Sequence, residues 1–227
     1  MLNSCFAKFD QHNIHYWEGG AGFPVLMIHG VGPGTSILGN FGPVLKPLTQ
    51  NCHIYAMDLI GFGDSSRKKE PPFFDLDLWI RQALFFIENV LPDGPCGIAG
   101  HSLGGALSFK ISSRSKRIKR VLTSSTIGSK YKINDALKQF WTLPKTKTAL
   151  KASMKNMAFD DAALTKEMID QRWNLLQTNG YADYFSKMFA PPKQQYLDLG
   201  VLDPEELKNI TSKVVMLHGS EDLPCPA

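Results

Sequence analysis

The segment with the clearest chemical potential is the Gly-His-Ser-Leu-Gly run at 100–104, which places Ser102 between two glycines. A short apolar run precedes it, and a helix-compatible stretch follows it. The pattern Gly-x-Ser-x-Gly is typical of a sharp strand-to-helix turn that exposes the serine hydroxyl at a helix N-terminus, where amide N–H groups favour negative charge. The alternative is a glycine-rich helix start at which the serine is only a cap.

The composition is that of an ordinary soluble domain. A chain of 227 residues is long enough for one large domain, or for a domain with an insertion. Apolar residues make up 43%, charged residues 20%, and the formal net charge is +4, all of which are usual for a soluble enzyme. We interpret the basic residues between 114 and 155 as a solvent-exposed face of the protein. The alternative is that their positive charge attracts anionic substrates. They carry no nucleic-acid motif, so we expect no nucleic-acid partner.

The cysteines and the N-terminus bear on location and cofactors. Four scattered cysteines fit neither a metal cluster nor a disulfide framework. We find no charged segment followed by an apolar core at the N-terminus, and no apolar run of about 18 residues, so we expect neither a signal peptide nor a membrane span. The sequence therefore predicts a reduced, cytoplasmic protein without a metal or organic cofactor. It leaves the oligomeric state open, a homo-oligomer included.

The elements that position Ser102 follow an alternating order. Residues 6–17 predict a hairpin around a turn at 10–13, and the apolar run 24–28 predicts a strand buried on both faces. Later spans alternate between helix and strand, which favours a mostly parallel α/β sheet with flanking helices. The predicted spans are a helix at 40–48, a strand at 52–57, a helix at 74–91, a strand at 96–99 and a strand at 118–124.

This alternation stops near Gly128. The following residues predict only helices, which we interpret as a helical lid inserted over the active end of the sheet; the predicted helices span 133–143, 146–157, 160–178 and 180–189. A strand returns at 214–219 and is followed by Asp222. The predicted organisation is a first core part at 1–128, a lid at 129–210 and a second, incomplete core part at 211–227.

Four features in this order resemble the α/β-hydrolase superfamily over essentially the whole chain. They are the glycine-rich loop at 29–35, the Asp-x-x-Gly-x-Gly-x-Ser loop at 58–65, the elbow at Ser102 and the acid Asp222. The resemblance implies a small-molecule substrate, Ser102 as the nucleophile and Asp222 as the acid that orients a histidine. It also implies an oxyanion hole made by the backbone N–H groups of Val31 and Leu103.

The third member of that triad has no candidate. In the family the histidine follows the acid, but all six histidines of this chain precede Asp222. The family pattern also has a further strand and helix after this acid. The sequence therefore predicts a chain that stops before its base and, as written, turns over little or no substrate.

One branch of the superfamily is similar in finer detail, namely the hydrolases that cleave a C–C bond of dienoic acids, the meta-cleavage products of aromatic degradation. The shared features are the His-Gly-x-Gly-Pro-Gly loop that contains Gly32, then Asn40, and the lid pair Arg172 and Trp173. The resemblance implies that all four residues bind substrate: Arg172 pairs with its carboxylate, Asn40 forms a hydrogen bond with the polar end of the dienoate, Trp173 packs nearby, and Gly32 belongs to the substrate-binding loop. Asn40 as a helix cap and Arg172 as a surface residue are the alternatives.

Other functions stay open at this point. The branch usually has Asn before the nucleophile, whereas this chain has His101, as many esterases, lipases and peptidases of the superfamily do. A carboxylesterase is therefore the alternative enzyme. A non-catalytic ligand-binding protein of the same fold is the alternative from another class, because the histidine is missing. Dehalogenases and epoxide hydrolases of this fold use Asp as the nucleophile, and Ser102 disfavours them.

Overall fold

A computed structural model describes residues 1–226, apart from the side chain of Asp161. Its strands are β1 (Leu2–Phe9), β2 (His12–Gly19), β3 (Phe23–Ile28), β4 (Cys52–Met57), β5 (Cys96–His101), β6 (Ile118–Ser124) and β7 (Lys213–Leu217). They form one seven-stranded sheet in the order β1-β2-β4-β3-β5-β6-β7. The β1–β2 and β2–β4 pairs are antiparallel, and the other neighbours are parallel. The predicted fold, a mostly parallel sheet with a leading hairpin, is confirmed.

Helices connect and cover these strands. The core helices are α1 (Ile37–Leu48), α2 (Leu76–Asn89) and α3 (Leu103–Ser112). Between β6 and β7 lie α4 (Asp135–Phe140), α5 (Lys147–Lys155), a 3-10 turn (Asp161–Ala163), α6 (Lys166–Leu176), α7 (Tyr181–Met188), α8 (Gln194–Leu199) and α9 (Pro204–Lys208). None of the described helices is long and apolar enough to cross a membrane.

The central strands are buried on both faces, because their side chains alternate between two separate cores. In β3, Leu26 and Ile28 belong to the larger core with residues of α2 and α3, whereas Met27 belongs to a smaller one beneath α1. This explains why 24–28 is a continuous apolar run. The larger core continues into α4–α8, so the segment predicted to be a lid shares a continuous core with the sheet. The exact domain limits stay a prediction.

Helix boundaries differ from the predicted ones at two places. The helix expected from residue 40 begins at Ile37, because the Ser36 hydroxyl accepts from the Gly39 N–H at 3.1 Å and caps it. Asn40 therefore lies inside the first turn and is not the cap. The single helix predicted over 160–178 is wrong, since Thr165 caps a new helix after the 3-10 turn. Apolar periodicity continues across that break and hides it.

Candidate active site

Ser102 occupies a strained turn between β5 and α3. Its backbone has φ 55° and ψ −120°, a positive-φ conformation that a non-glycine residue rarely adopts. Such strain costs on the order of 1–3 kcal/mol and persists only where neighbouring structure enforces it. Here the Ser102 N–H donates to the Ser124 carbonyl at 2.9 Å, which fixes the turn to β6. The predicted strand-to-helix elbow is confirmed.

Two glycines make room for this turn. A Cβ on Gly100 would lie 2.1 Å from the Gly104 carbonyl oxygen, and one on Gly104 would lie 2.4 Å from the Ile28 carbonyl oxygen. These distances are far inside van der Waals contact. The helix can therefore start this close to the strands only because both positions lack side chains.

The loop after β3 is anchored by His29. Its Nδ1–H donates to the Gly30 carbonyl at 2.6 Å, while Nε2 accepts from the Leu59 N–H at 3.0 Å. Burial lowers the pKa of His29, so the ring is neutral, as this pairing requires. A Cβ on Gly30 would lie 2.9 Å from the Ser102 Cβ, which shows that the loop passes directly over the serine. His29 is thus a structural anchor of the loop.

The two predicted oxyanion donors lie at the cavity that Ser102 lines: Val31 lines it as well, and Leu103 follows Ser102 in the chain. Neither group donates a hydrogen bond within residues 1–226. Leu103 is the first residue of α3, where N–H groups have no partner inside the helix. Two unpaired donors at one serine are the arrangement that a developing oxyanion requires.

Ser102 opens into a cavity of about 260 Å³ between the sheet and the lid helices. Its floor is polar and includes Asn40, Ser102 and Asp222. Its roof is apolar, which suits the hydrocarbon part of a small ligand. The roof consists of Phe140, Met154, Met157, Ala158, Ala163, Leu164 and Met168.

Arg172 is the cationic group of this cavity. It is only 7% exposed, and its Nη1 donates to Thr35 Oγ1 at 3.0 Å and to the Pro33 carbonyl at 3.3 Å. No carboxylate pairs with it among the described residues, and its buried Nε has no hydrogen-bond partner. Burial lowers the pKa of Arg172 to about 10, so it stays cationic at neutral pH. A buried cation without a counter-ion is costly unless a ligand supplies the anion.

Asn40 reaches the cavity from α1. Its Oδ1 accepts from the Gly30 N–H at 2.7 Å, which orients the amide and leaves Nδ2 as the donor toward a ligand. The alternative function of Asn40 as a helix cap is wrong, because Ser36 fills that position. The buried position of Arg172 likewise excludes the surface-residue alternative.

Asp222 lies at the same cavity, as predicted, but its partners are not those of a complete triad. Its Oδ1 accepts from the Cys225 N–H at 2.9 Å, and its Oδ2 lies 3.9 Å from Nε2 of His218. His218 does not line the Ser102 cavity. The side chain beside the Ser102 hydroxyl is the Cys225 thiol, whose pKa burial raises to about 12, so it is neither a base nor a thiolate.

His101 is the one histidine that lines this cavity within the described residues. Its Nδ1 forms a hydrogen bond with the Ser124 hydroxyl at 3.0 Å. Burial lowers the pKa of His101, and the nearby charge of Asp222 offsets part of that decrease. No hydrogen bond joins it to Ser102 in residues 1–226. The general base of a triad is therefore not among the histidines that the structure describes.

Two predicted site residues lie elsewhere. Gly32 faces Phe140, to whose Cε1 an added Cβ would approach within 2.3 Å, and it does not line the cavity. Trp173 is half-buried against the large core and lies outside the cavity too.

The sequence did not predict the methionine and phenylalanine residues of the cavity roof. Their apolar periodicity in the lid is that of any packed helix, and Cys225 carries no motif at all.

Among the described residues, His15, Asp58 and Asp64 form a closely spaced set of potential metal ligands, but Asp58 already has other partners. The ligand atoms of His15, Asp58 and Asp64 lie within 4.8 Å of one another, away from the cavity. However, the Asp58 carboxylate already accepts from His15 Nδ1 at 2.8 Å, from the Ile37 N–H at 2.6 Å and from the Asp64 N–H at 3.2 Å. These donors take up three of the roughly four lone pairs of the carboxylate, which leaves Asp58 little capacity to bind a cation.

Known proteins share this architecture. The profile of the alpha/beta hydrolase fold matches residues 24–146. A 2-hydroxy-6-oxo-2,4-heptadienoate hydrolase of Pseudomonas putida is 26% identical over 94% of this chain and 76% of its own length. A 2-hydroxymuconate semialdehyde hydrolase of a Pseudomonas species is 27% identical over 92% of this chain and 73% of its own. The solved meta-cleavage product hydrolase of Pseudomonas fluorescens, crystallised with acetates, superposes with a TM-score of 0.88 at 25% identity, over 95% of this chain and 79% of that one.

Proposed function

The chain belongs to the alpha/beta hydrolase fold family, and we propose that within it the protein is a serine-dependent hydrolase of the C–C bond in a dienoic keto acid. The observation that carries this proposal is the buried guanidinium of Arg172, which no carboxylate pairs with among the described residues, in the same cavity as the half-buried Ser102. The substrate class is that named for the similar proteins of Pseudomonas.

The geometry supports a division of labour in which the two ends of the substrate meet different groups. The carboxylate pairs with Arg172, and the polar group next to it accepts from Asn40 Nδ2. The apolar remainder lies under the roof of the lid. The keto carbon then comes to Ser102, and the oxygen of that carbonyl accepts from the Val31 and Leu103 N–H groups as negative charge develops.

The acid–base part of this reaction uses Asp222 as the group that orients and stabilises an imidazolium. That imidazole is not one of the histidines in residues 1–226, since none of them forms a hydrogen bond with the Ser102 hydroxyl. Ser102 therefore supplies the nucleophile and the binding groups supply position, while the described histidines do not supply the base.

The proposal is tested by the binding of a substrate anion, which does not require the base. On a Ser102→Ala background, a 2-hydroxy-6-oxo-dienoate and its methyl ester are titrated by their own absorbance. We expect Arg172→Ala to weaken binding of the acid on the order of 30- to 100-fold, because a charge-assisted pair is worth roughly 2–3 kcal/mol. The ester should change less than threefold.

A matched variant separates charge from packing. Arg172→Lys keeps a cation but loses the planar fork, so it should recover only part of the acid binding. Circular dichroism must show that each variant is folded. Equal losses for acid and ester would contradict a carboxylate clamp and favour the carboxylesterase, for which His101 beside the nucleophile is the specific observation. The test of that alternative is turnover of neutral p-nitrophenyl esters.

A further inference from the structure

Ser4 has the hydrogen-bonded histidine and aspartate that Ser102 does not have in the described residues. Its Oγ lies 3.0 Å from His15 Nε2, and His15 Nδ1 lies 2.8 Å from Asp58 Oδ2. Ser4 is an exposed residue of the edge strand β1, and none of the three residues lines the cavity at Ser102. The molecule thus contains a Ser–His–Asp relay on a second surface.

The direction of the proton in this relay is fixed by Asp58. Its oxygens also face the Ile37 and Asp64 N–H groups, so the carboxylate acts as an acceptor and His15 Nδ1 must donate to it. In the neutral ring the other nitrogen, Nε2, has a free lone pair and accepts from the Ser4 hydroxyl. This is the tautomer that a general base needs.

The relay is rigid and dry, although its serine is accessible. His15 and Asp58 are each only 1% exposed. The His15 ring lies between Phe6 and Trp17, with ring centroids 5.1 Å and 5.5 Å away. A base held in one rotamer next to an exposed hydroxyl needs little reorganisation when an electrophile approaches.

We propose that Ser4 is a second nucleophilic serine, which reacts with activated aryl esters and with fluorophosphonates. Ser4 Oγ bonds to the carbonyl carbon as His15 Nε2 takes its proton, and Asp58 stabilises the imidazolium. The ester C–O bond then breaks, and His15 returns the proton to the departing phenolate, which leaves an acyl-Ser4 ester. With a fluorophosphonate the P–F bond breaks, fluoride leaves and the proton passes to solvent.

An aromatic leaving or acyl group is favoured by the surface beside Ser4. Phe6 is two residues along the same strand and is 62% exposed, while Trp17 is the cross-strand partner of Ser4. Side chains at these positions share one face of the sheet. The exposed ring of Phe6 therefore offers an apolar contact to an aryl group bound at Ser4.

Labelling of Ser4 is measured in a chain without Ser102, so its outcome is independent of the proposed function. The whole chain carrying Ser102→Ala is treated with an aryl fluorophosphonate, and the labelled peptides are quantified against time. We expect Ser4 to label at least tenfold faster than Ser129, an exposed serine without a histidine contact. A second variant, Ser4→Ala with Ser102→Ala, should lose the fast label, and p-nitrophenyl acetate should give its burst only while Ser4 is present.

His15→Gln tests the base, because glutamine can still bridge Ser4 and Asp58 but cannot take the proton. In that variant the Ser4 rate should fall to the Ser129 rate. Equal labelling of Ser4 and Ser129 in the Ser102→Ala chain would overturn the proposal, and this ratio does not require the His15 variant to fold. An unchanged Ser4 rate in folded His15→Gln would overturn it as well.

Discussion

Ser102 and Ser4 each have part of what a serine hydrolase usually combines at one serine, namely a substrate cavity and a histidine–aspartate relay. Ser102 has a strained exposed turn, unpaired N–H donors, a cavity and the Arg172 cation, but its hydroxyl faces the Cys225 thiol. Ser4 has relaxed strand geometry and a complete imidazole–carboxylate relay, but it lies on an open surface. Within the described residues, the cavity and cation at Ser102 and the imidazole–carboxylate relay at Ser4 therefore lie in separate parts of the fold.

The largest difference between the two serines should appear in turnover. We expect residues 1–227 to hydrolyse a dienoate on the order of 10⁶-fold more slowly than a complete triad does, because removal of a triad histidine has about that effect. The measurement is single-turnover decay of the dienoate absorbance. Free imidazole, which is small enough for the cavity, should raise the rate, and Ser102→Ala should abolish that increase. A normal rate without imidazole would contradict the assignment of the histidines.

The next effect concerns folding of the elbow. Gly100→Ala should destabilise the protein by roughly 3–5 kcal/mol, because the new Cβ would meet the Gly104 carbonyl at 2.1 Å and force β5 from α3. Urea unfolding followed by circular dichroism measures this. Gly39→Ala is the matched control, since apart from the neighbouring backbone the nearest atom to its added Cβ is the Ser36 hydroxyl oxygen, at 3.4 Å. It should be neutral or stabilising by about 0.5–1 kcal/mol, and a similar loss at both positions would contradict the steric account.

A smaller effect should appear below neutral pH. Burial lowers the pKa of His101 from the ordinary 6.5, so the unfolded chain binds a proton more readily than the folded one. The stability that neutral His101 provides is thus present above about pH 6.5 and is lost as the pH falls below it, by at most about 1.4 kcal/mol per pH unit.

The share of His101 is isolated by substitution. His101→Asn keeps a polar side chain beside Ser124 but does not titrate, so its unfolding free energy should fall less between pH 7 and pH 5. The buried His29 and His12, whose pKa values burial also lowers, should contribute to the pH dependence of both proteins. Identical pH profiles for the two proteins would contradict the contribution of His101.

The smallest effect concerns backbone strain at the two serines and has opposite signs. Ser102→Gly should be more stable than Ser102→Ala by about 1 kcal/mol, since glycine accepts φ 55° without a Cβ clash. Ser4→Gly should be less stable than Ser4→Ala by roughly 0.5–1 kcal/mol, because glycine weakens an ordinary strand. Chemical denaturation of the four variants checks this. The same sign at both sites would contradict the assignment of strain to the elbow alone.

Much of the site was predictable because its parts are local. The elbow at Ser102, the loop above it and the order of strands are each encoded within a few residues, by glycine spacing and by runs of apolar side chains. Asp222 and Arg172 were placed by resemblance, and the structure brings both to the Ser102 cavity. The same resemblance predicts that Trp173, on the same helix as Arg172, is near the substrate, but Trp173 lies outside the Ser102 cavity.

Local sterics and residue order are enough to predict the alternation of elements, the sharp turn at Ser102 and the lack of a histidine after Asp222 within these residues. Three features depend instead on long-range packing: the lid side chains that form the roof, the burial of Arg172 without a counter-ion, and the contacts of Ser4 with His15 and of His15 with Asp58. Those contacts join residues tens of positions apart, and their geometry depends on how strands pair and helices pack, which neither residue spacing nor composition specifies.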